Sequence, residues 1–184
     1  MADLATLAAV REYVGAKQGQ YDSLLSLIVS GVSDRMEKYM RRTIAATTYT
    51  SEVHESVGYD AVVLDHGPVI SVTTVIEGAT TLTTADWRLD GGSLTRLVGT
   101  VRSGWAKGDV FVTYRAGYNL VPKSLELACV EQCAHEWQQT AAGDSRLGLA
   151  GKDTPAGDSE SFAHTASGFV PNVIEAMLPY VSRF

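Results

Sequence analysis

Asp109-Val110-Phe111-Val112-Thr113-Tyr114-Arg115 sets Val110, Val112 and Tyr114 on one side and Phe111, Thr113 and Arg115 on the other. A period of two is the pleat of a β-strand. Just downstream, Pro122 suits the first turn of a helix. Leu125, Cys129, Cys133 and Trp137 then step by four, with Ala128 and Ala134 widening the stripe, so the spacing predicts a helix over 122–140. A strand running into a long amphipathic helix puts the chain in the α+β class.

Upstream, the period of two continues in short pieces. Thr47–Glu55 is rich in Thr, Tyr and Val, and Ala61–Leu64, Val69–Ile76, Trp87–Leu89 and Leu94–Val98 are further short runs. His66-Gly67-Pro68, Glu77-Gly78 and Asp90-Gly91-Gly92 are turn signals between them. Together they predict a small, mostly antiparallel sheet over 47–118. Before it, Leu4, Leu7, Ala8, Val10 and Val14 predict a helix over 3–15 closed by Gly15. Asp22 as N-cap, followed by Leu25, Ile28, Val32, Met36 and Tyr39, predicts a second helix over 21–42.

Beyond Ala141 the composition shifts. Residues 142–168 are dense in Gly, Ser, Asp and Thr, which suits a flexible arm open to proteolysis. Pro171 to Leu178 regains helical spacing before Pro179 stops it. The expected architecture is therefore α+β and mainly α. Two N-terminal helices and one long helix after the sheet form a bundle, beside a small antiparallel β domain. Residues 1–141 would be the core, 142–168 the arm, and 169–184 a docking helix and tail.

The 184 residues are 45% hydrophobic and 20% charged, a composition that buries a core. Fifteen Lys and Arg against 21 Asp and Glu give a net charge of −6, which lacks the basic footprint of a protein that grips phosphates. Met1–Val14 carries Asp3, Arg11 and Glu12 and lacks the apolar core of a signal peptide, and Leu24–Val32 is too short and polar to span a bilayer. The expectation is a soluble product of the cytoplasm, with no membrane partner.

Catalytic patterns are absent. Neither G-x-G-x-x-G nor G-x-x-x-x-G-K-[ST] occurs, nor G-x-S-x-G. His135-Glu136 opens like a zincin helix, but Gln139 stands where the second His is required. Cys129 and Cys133 share a helical face and read as reduced core thiols, whereas His135 is turned about 200° from Cys133. His54, His66 and His164 are scattered, and Glu52/Glu55 and Asp86/Asp90 read as solvated surface. No catalytic, cofactor or metal residue is expected.

Two binding features remain. Val173, Ile174, Met177, Leu178, Tyr180, Val181 and Phe184 form an apolar set that must be buried somewhere. It either folds back on its own core or docks on another subunit in helix-in-groove fashion. Arg35, Lys38, Arg41 and Arg42 cluster on the second helix. They either complement the negative pole of the helix or contact DNA or an acidic partner.

Four stretches carry a family resemblance. Tyr39-Met40-Arg41-Arg42 closes the helical pair with "Y-x-x-R"-like residues. Gly67-Pro68-Val69-Ile70-Ser71-Val72 is similar to a "P-V-x-S-V" strand. Tyr114-Arg115-Ala116-Gly117-Tyr118-Asn119-Leu120-Val121-Pro122 is similar to a "Y-x-A-G-Y…P" passage into the last long helix. Ser159-Glu160-Ser161-Phe162, Pro171 and Leu178-Pro179-Tyr180 are similar to an "S-E-S…L-x-P-Y" ending. In this order, across residues 4–181, they resemble the head–tail connector (adaptor, head-completion) family of long-tailed double-stranded DNA phages. Val181-Ser182 departs from it where many relatives carry a basic residue.

The resemblance implies a structural virion protein of the neck, without catalysis or cofactor. It implies a ring, typically of twelve subunits, beneath the portal protein, extending the DNA channel and offering an attachment surface to a tail or stopper protein. A stopper or tail-completion role is the alternative, and the helix-first order favours the connector. The acidic balance suits double-stranded DNA that slides past without sticking.

Overall fold

The computed structural model describes residues 3–58, 61–143, 151–153, 159–161 and 168–182. The chain divides into two compact units. Met1–Arg42 and Val121–Phe184 make a helical unit, and Thr43–Leu120 makes a β unit.

In the helical unit, α1 (Leu7–Val14) begins at Thr6, whose hydroxyl accepts from the Ala9 N–H at 3.2 Å. It ends at Gly15, which supplies the left-handed φ of 68° required at that position. Capping by Thr6 is why the helix starts later than its apolar spacing predicts. α2 (Asp22–Met40) has Asp22 as its first helical residue rather than its cap, and the Asp22 carboxylate pairs with Arg11 of α1 at 2.9 Å. α3 (Lys123–Gln139) follows Pro122. α1, α2 and α3 pack against one another. The stripe of Leu25, Val29, Val32, Met36 and Met40 on α2 is buried, as are Leu125, Ala128, Cys129, Cys133 and Trp137 on α3. A terminal helix, α4 (Pro171–Met177), packs on α3 and passes into a 3₁₀ turn at Leu178–Tyr180.

The β unit holds β1 (Thr47–Ser56), β2 (Ala61–Val63), β3 (Val69–Glu77), β4 (Thr80–Leu82), β5 (Trp87–Asp90), β6 (Ser93–Val98), β7 (Val101–Ser103) and β8 (Gly108–Ala116). One antiparallel sheet runs β1-β8-β3-β4, and a second runs β2-β6-β5 with β7 also on β6. β8, the strand with the clearest alternation, is central in the first sheet. Its Val110, Val112 and Tyr114 are fully buried. They share one core with Val75 of β3, Val62 of β2, Leu94 of β6 and Trp105. Two sheets packed face to face bury one side of each.

Two polar contacts reinforce this core. Arg96 of β6 pairs with Glu77 of β3 at 3.1 Å, and the other Glu77 oxygen accepts the Ala106 N–H at 2.7 Å. Tyr114 donates its hydroxyl to Glu52 at 2.6 Å and accepts from the His66 N–H at 3.2 Å. Burial, aided by the Glu52 bond, pushes the Tyr114 hydroxyl well above its ordinary value, so it stays a donor.

Gly117, directly after β8, has φ +108°, and a Cβ there would lie 2.8 Å from the Ala45 carbonyl oxygen. Backbone passes so close here that only glycine fits.

The expected predominance of helix is not found: among the described residues helix makes up 35% and strand 32%. The single expected sheet is two, and β4 and β7, three residues each, are too short to show a period in sequence. Much of the 142–168 arm lies outside the described residues. Within it, β9 (Gly151–Asp153) and β10 (Ser159–Ser161) pair antiparallel, so that stretch is not wholly structureless.

Candidate assembly surface

The terminal segment is tied to its own helical unit. Gln132 of α3 is fully buried and uses both ends of its amide. Its Nε2 donates to the Gly168 carbonyl at 3.1 Å and to Glu136 at 3.0 Å, and its Oε1 accepts the Val170 N–H at 3.0 Å. Phe169 meets Tyr39 edge to face, with the Arg35 guanidinium 5.6 Å from its ring centroid. Asn172 hydrogen-bonds Glu131, Tyr180 lies 3.3 Å from the Ser124 hydroxyl, and the Ser182 N–H reaches the Met40 carbonyl at 2.8 Å.

This decides between the two fates of the apolar ending for part of the set. Val173 and Met177 are buried in their own chain, so fold-back is what the structure shows for them. The spacing of Val173 and Met177, one helical turn apart, aims them at the same face. Ile174 and Tyr180 are half-buried, and Leu178 is 58% exposed. Phe184 lies outside the described residues.

The basic cluster divides in the same way. Arg35 pairs with Glu136 at 2.7 Å, and Lys38 pairs with Asp34 one turn earlier at 2.6 Å. Among the described residues neither Arg41 nor Arg42 has an ion-pair partner. Arg41 stands at the C-cap of α2 with φ 54°, where its N–H and that of Arg42 close the Lys38 and Glu37 carbonyls of the last turn.

The rest of the helical surface is unevenly apolar. One groove lies between Ala9, Glu12 and Tyr13 of α1 and Lys123, Glu126, Leu127 and Val130 of α3. A second is lined by Leu27, Ile28, Gly31, Val32 and Arg35 of α2 with Glu136 of α3. Tyr13 and Leu127 are about half exposed and Leu27 is 71% exposed. The two grooves have no residue in common. Leu27 sits opposite the buried Leu25/Val29 stripe, so it is surplus to the chain's own core. Sequence periodicity shows such a residue only as an interruption in the polar face, which is why neither groove is visible before folding.

Among the described residues no base hydrogen-bonds the two thiols of α3. Cys129 and Cys133 are buried, with Ser33 Oγ 3.7 Å from Cys129 Sγ. The neighbouring Cys129 thiol, together with burial, pushes the Cys133 thiol up, so it stays protonated and unreactive. His135 does not join them. Asp86 and Asp90 act in turns: Asp86 accepts from both the N–H and the hydroxyl of Thr83, and Asp90 pairs with Arg88 at 2.8 Å.

The model of the head completion protein family matches residues 3–180. The chain belongs to that family. Head completion proteins are structural parts of the virion. Its fold is shared by a chain from the neck of an empty gene transfer agent particle solved with C6 symmetry. The TM-score is 0.60 and the identity 14%, covering 98% of this chain and 91% of the other. A chain of the native gene transfer agent virion gives 0.60 at 16% identity, with the same coverage. One from the native neck, solved with C12 symmetry, gives 0.52 at 15%, covering 97% and 88%. No curated protein matches the sequence.

Proposed function

We propose that this head completion protein is a head–tail connector subunit of the virion neck. Copies join through unlike faces into a twelve-fold ring under the portal protein. The ring continues the DNA channel and presents a seat for the tail or a stopper protein. Its action is mechanical and needs no cofactor.

The carrying observation is the pair of apolar grooves on one helical unit, lined by different residues. A closed ring needs two unlike surfaces on each subunit that fit one another. A two-fold dimer needs only one. The neck origin of the neighbouring folds, in particles solved with C6 and C12 symmetry, supports the same reading. Leu178, Ile174 and Tyr180 are the part of the apolar ending that remains for the portal or a neighbouring copy, and Arg41 and Arg42 are the cations left for DNA or an acidic partner.

The test separates the two faces. Leu27→Asp and Leu127→Asp should each stop ring formation on portal particles, seen by electron microscopy, while leaving the fold intact by circular dichroism. Mixed together, the two variants should give a one-to-one dimer through their remaining good faces. Self-association of either variant alone at wild-type strength would show isologous pairing and defeat the ring.

A further inference from the structure

β1 changes face part-way. Its register against β8 slips between Tyr49 and Glu52, with Ser51 at φ 51°. After this bulge, His54 and Ser56 point inward and are buried, Glu52 is mostly buried, and Val53 between them is 53% exposed. A bulge re-aims the side chains that follow it. The result is a polar inner face on a strand whose valine looks outward.

The groups brought together there are metal ligands by type. The ligating atoms of Glu52, His54 and Asp65 all lie within 4.8 Å of one another. Asp65, which is exposed, comes from the connection between β2 and β3. His54, only 8% exposed, places Nε2 at ion-pair distance, 2.9 Å, from Glu52 Oε1 but out of line for a hydrogen bond, and among the described residues it has no hydrogen-bond partner. Two ligands each about 2.1 Å from an ion, at octahedral to tetrahedral angles, sit roughly 3.0–3.4 Å apart. The observed spacing suits an ion set off the line between the two atoms. Solvent reaches the cluster through a groove lined by His54, Ser56, Val62 and Asp65.

The surroundings hold the carboxylate in place. Glu52 Oε1 accepts from the buried Tyr114 hydroxyl, and His66 Nε2 lies 3.4 Å from Glu52 Oε2 while its ring stacks on Tyr49 at 3.8 Å. Outer contacts of this kind orient a ligand.

We propose that Glu52, His54 and Asp65 form a binding site for one divalent transition-metal ion of the zinc type. One imidazole with two carboxylates favours such an ion over Mg²⁺ or Ca²⁺, which prefer oxygen alone. Solvent would complete the coordination from the groove side. The ion would tie β1 of one sheet to the segment following β2 of the other, and so would act as a structural staple within the β unit.

The test uses untagged full-length protein, freed of metal by a chelator and titrated with ZnCl₂ by calorimetry, with melting followed by circular dichroism. One equivalent should bind and the melting temperature should rise. His54→Gln and Asp65→Asn should each weaken binding by at least about tenfold, since even outer-contact losses reach that size. Asp65 is exposed, so its variant should keep the wild-type far-ultraviolet spectrum in the metal-free state. With Co²⁺ in place of Zn²⁺, weak d–d bands without a thiolate charge-transfer band are expected. Absence of binding, binding undiminished in both variants, or a thiolate band pointing to Cys129 and Cys133 would each overturn the site.

Discussion

The helical unit and the β unit are held together by different means. In the helical unit the core is an apolar stripe on each helix, and among its buried polar groups Gln132 ties the terminal segment to α3 through two hydrogen bonds. In the β unit, half-buried charge backs the sheets: Glu77 of the first sheet with Arg96 of the second, and Glu52 with Tyr114 within the first. Apolar packing tolerates small misfits at moderate cost, whereas a buried polar pair fails sharply when one partner goes. The helical unit should therefore yield gradually to substitution and the β unit abruptly.

The largest expected effect is Gly117→Ala. Both the +108° φ and the 2.8 Å approach to a backbone carbonyl oppose a methyl group. A loss of about 4 kcal/mol or more is expected, which is at the extreme for a single substitution. Chemical denaturation followed by Trp87 and Trp105 fluorescence would measure it. Next is Met177→Ala in the helical unit, where a fully buried side chain leaves a cavity. About 2–4 kcal/mol should be lost, with faster proteolysis at the C-terminal end. Arg96→Met should cost about 3 kcal/mol by stranding Glu77, and the double variant with Glu77→Leu should recover much of that loss. If the double variant were no better than the single, the contrast between the units would fail.

The smallest effect is on acidification. Hydrogen bonds from Thr83 hold the Asp86 carboxyl below its usual 3.8, and Arg88 does the same for Asp90. Groups depressed on folding stabilise above their unfolded pKa, and that stabilisation is lost as pH falls through the folded value. The β-unit tryptophans should therefore respond to pH below about 4 before Trp137 in α3 does.

The same difference explains what the sequence made legible. The helices and β8 announce themselves because periods of four and two recur over many residues. Gly15 and Pro122 mark real boundaries, and the Ala116-Gly117-Tyr118 passage has a steric reason. The strands β2, β5 and β6 were legible but their grouping into a second sheet was not, since partner choice is a long-range matter. Nor were Glu52, His54 and Asp65, because the bulge at Ser51 reverses the facing that simple alternation gives to Val53 and His54. Val173 and Met177 were legible as apolar, but their destination depended on Gln132 offering both halves of its amide to the chain at Gly168 and Val170.

The β unit begins and ends at one place. Tyr118 N–H donates to the Ile44 carbonyl at 2.8 Å, and Ala46 N–H donates to Tyr118 at 3.0 Å. Its entry and exit strands are thus zipped to each other, like the two wires of a plug. A β unit with such a paired base can be lengthened or shortened without re-threading the helices of the chain.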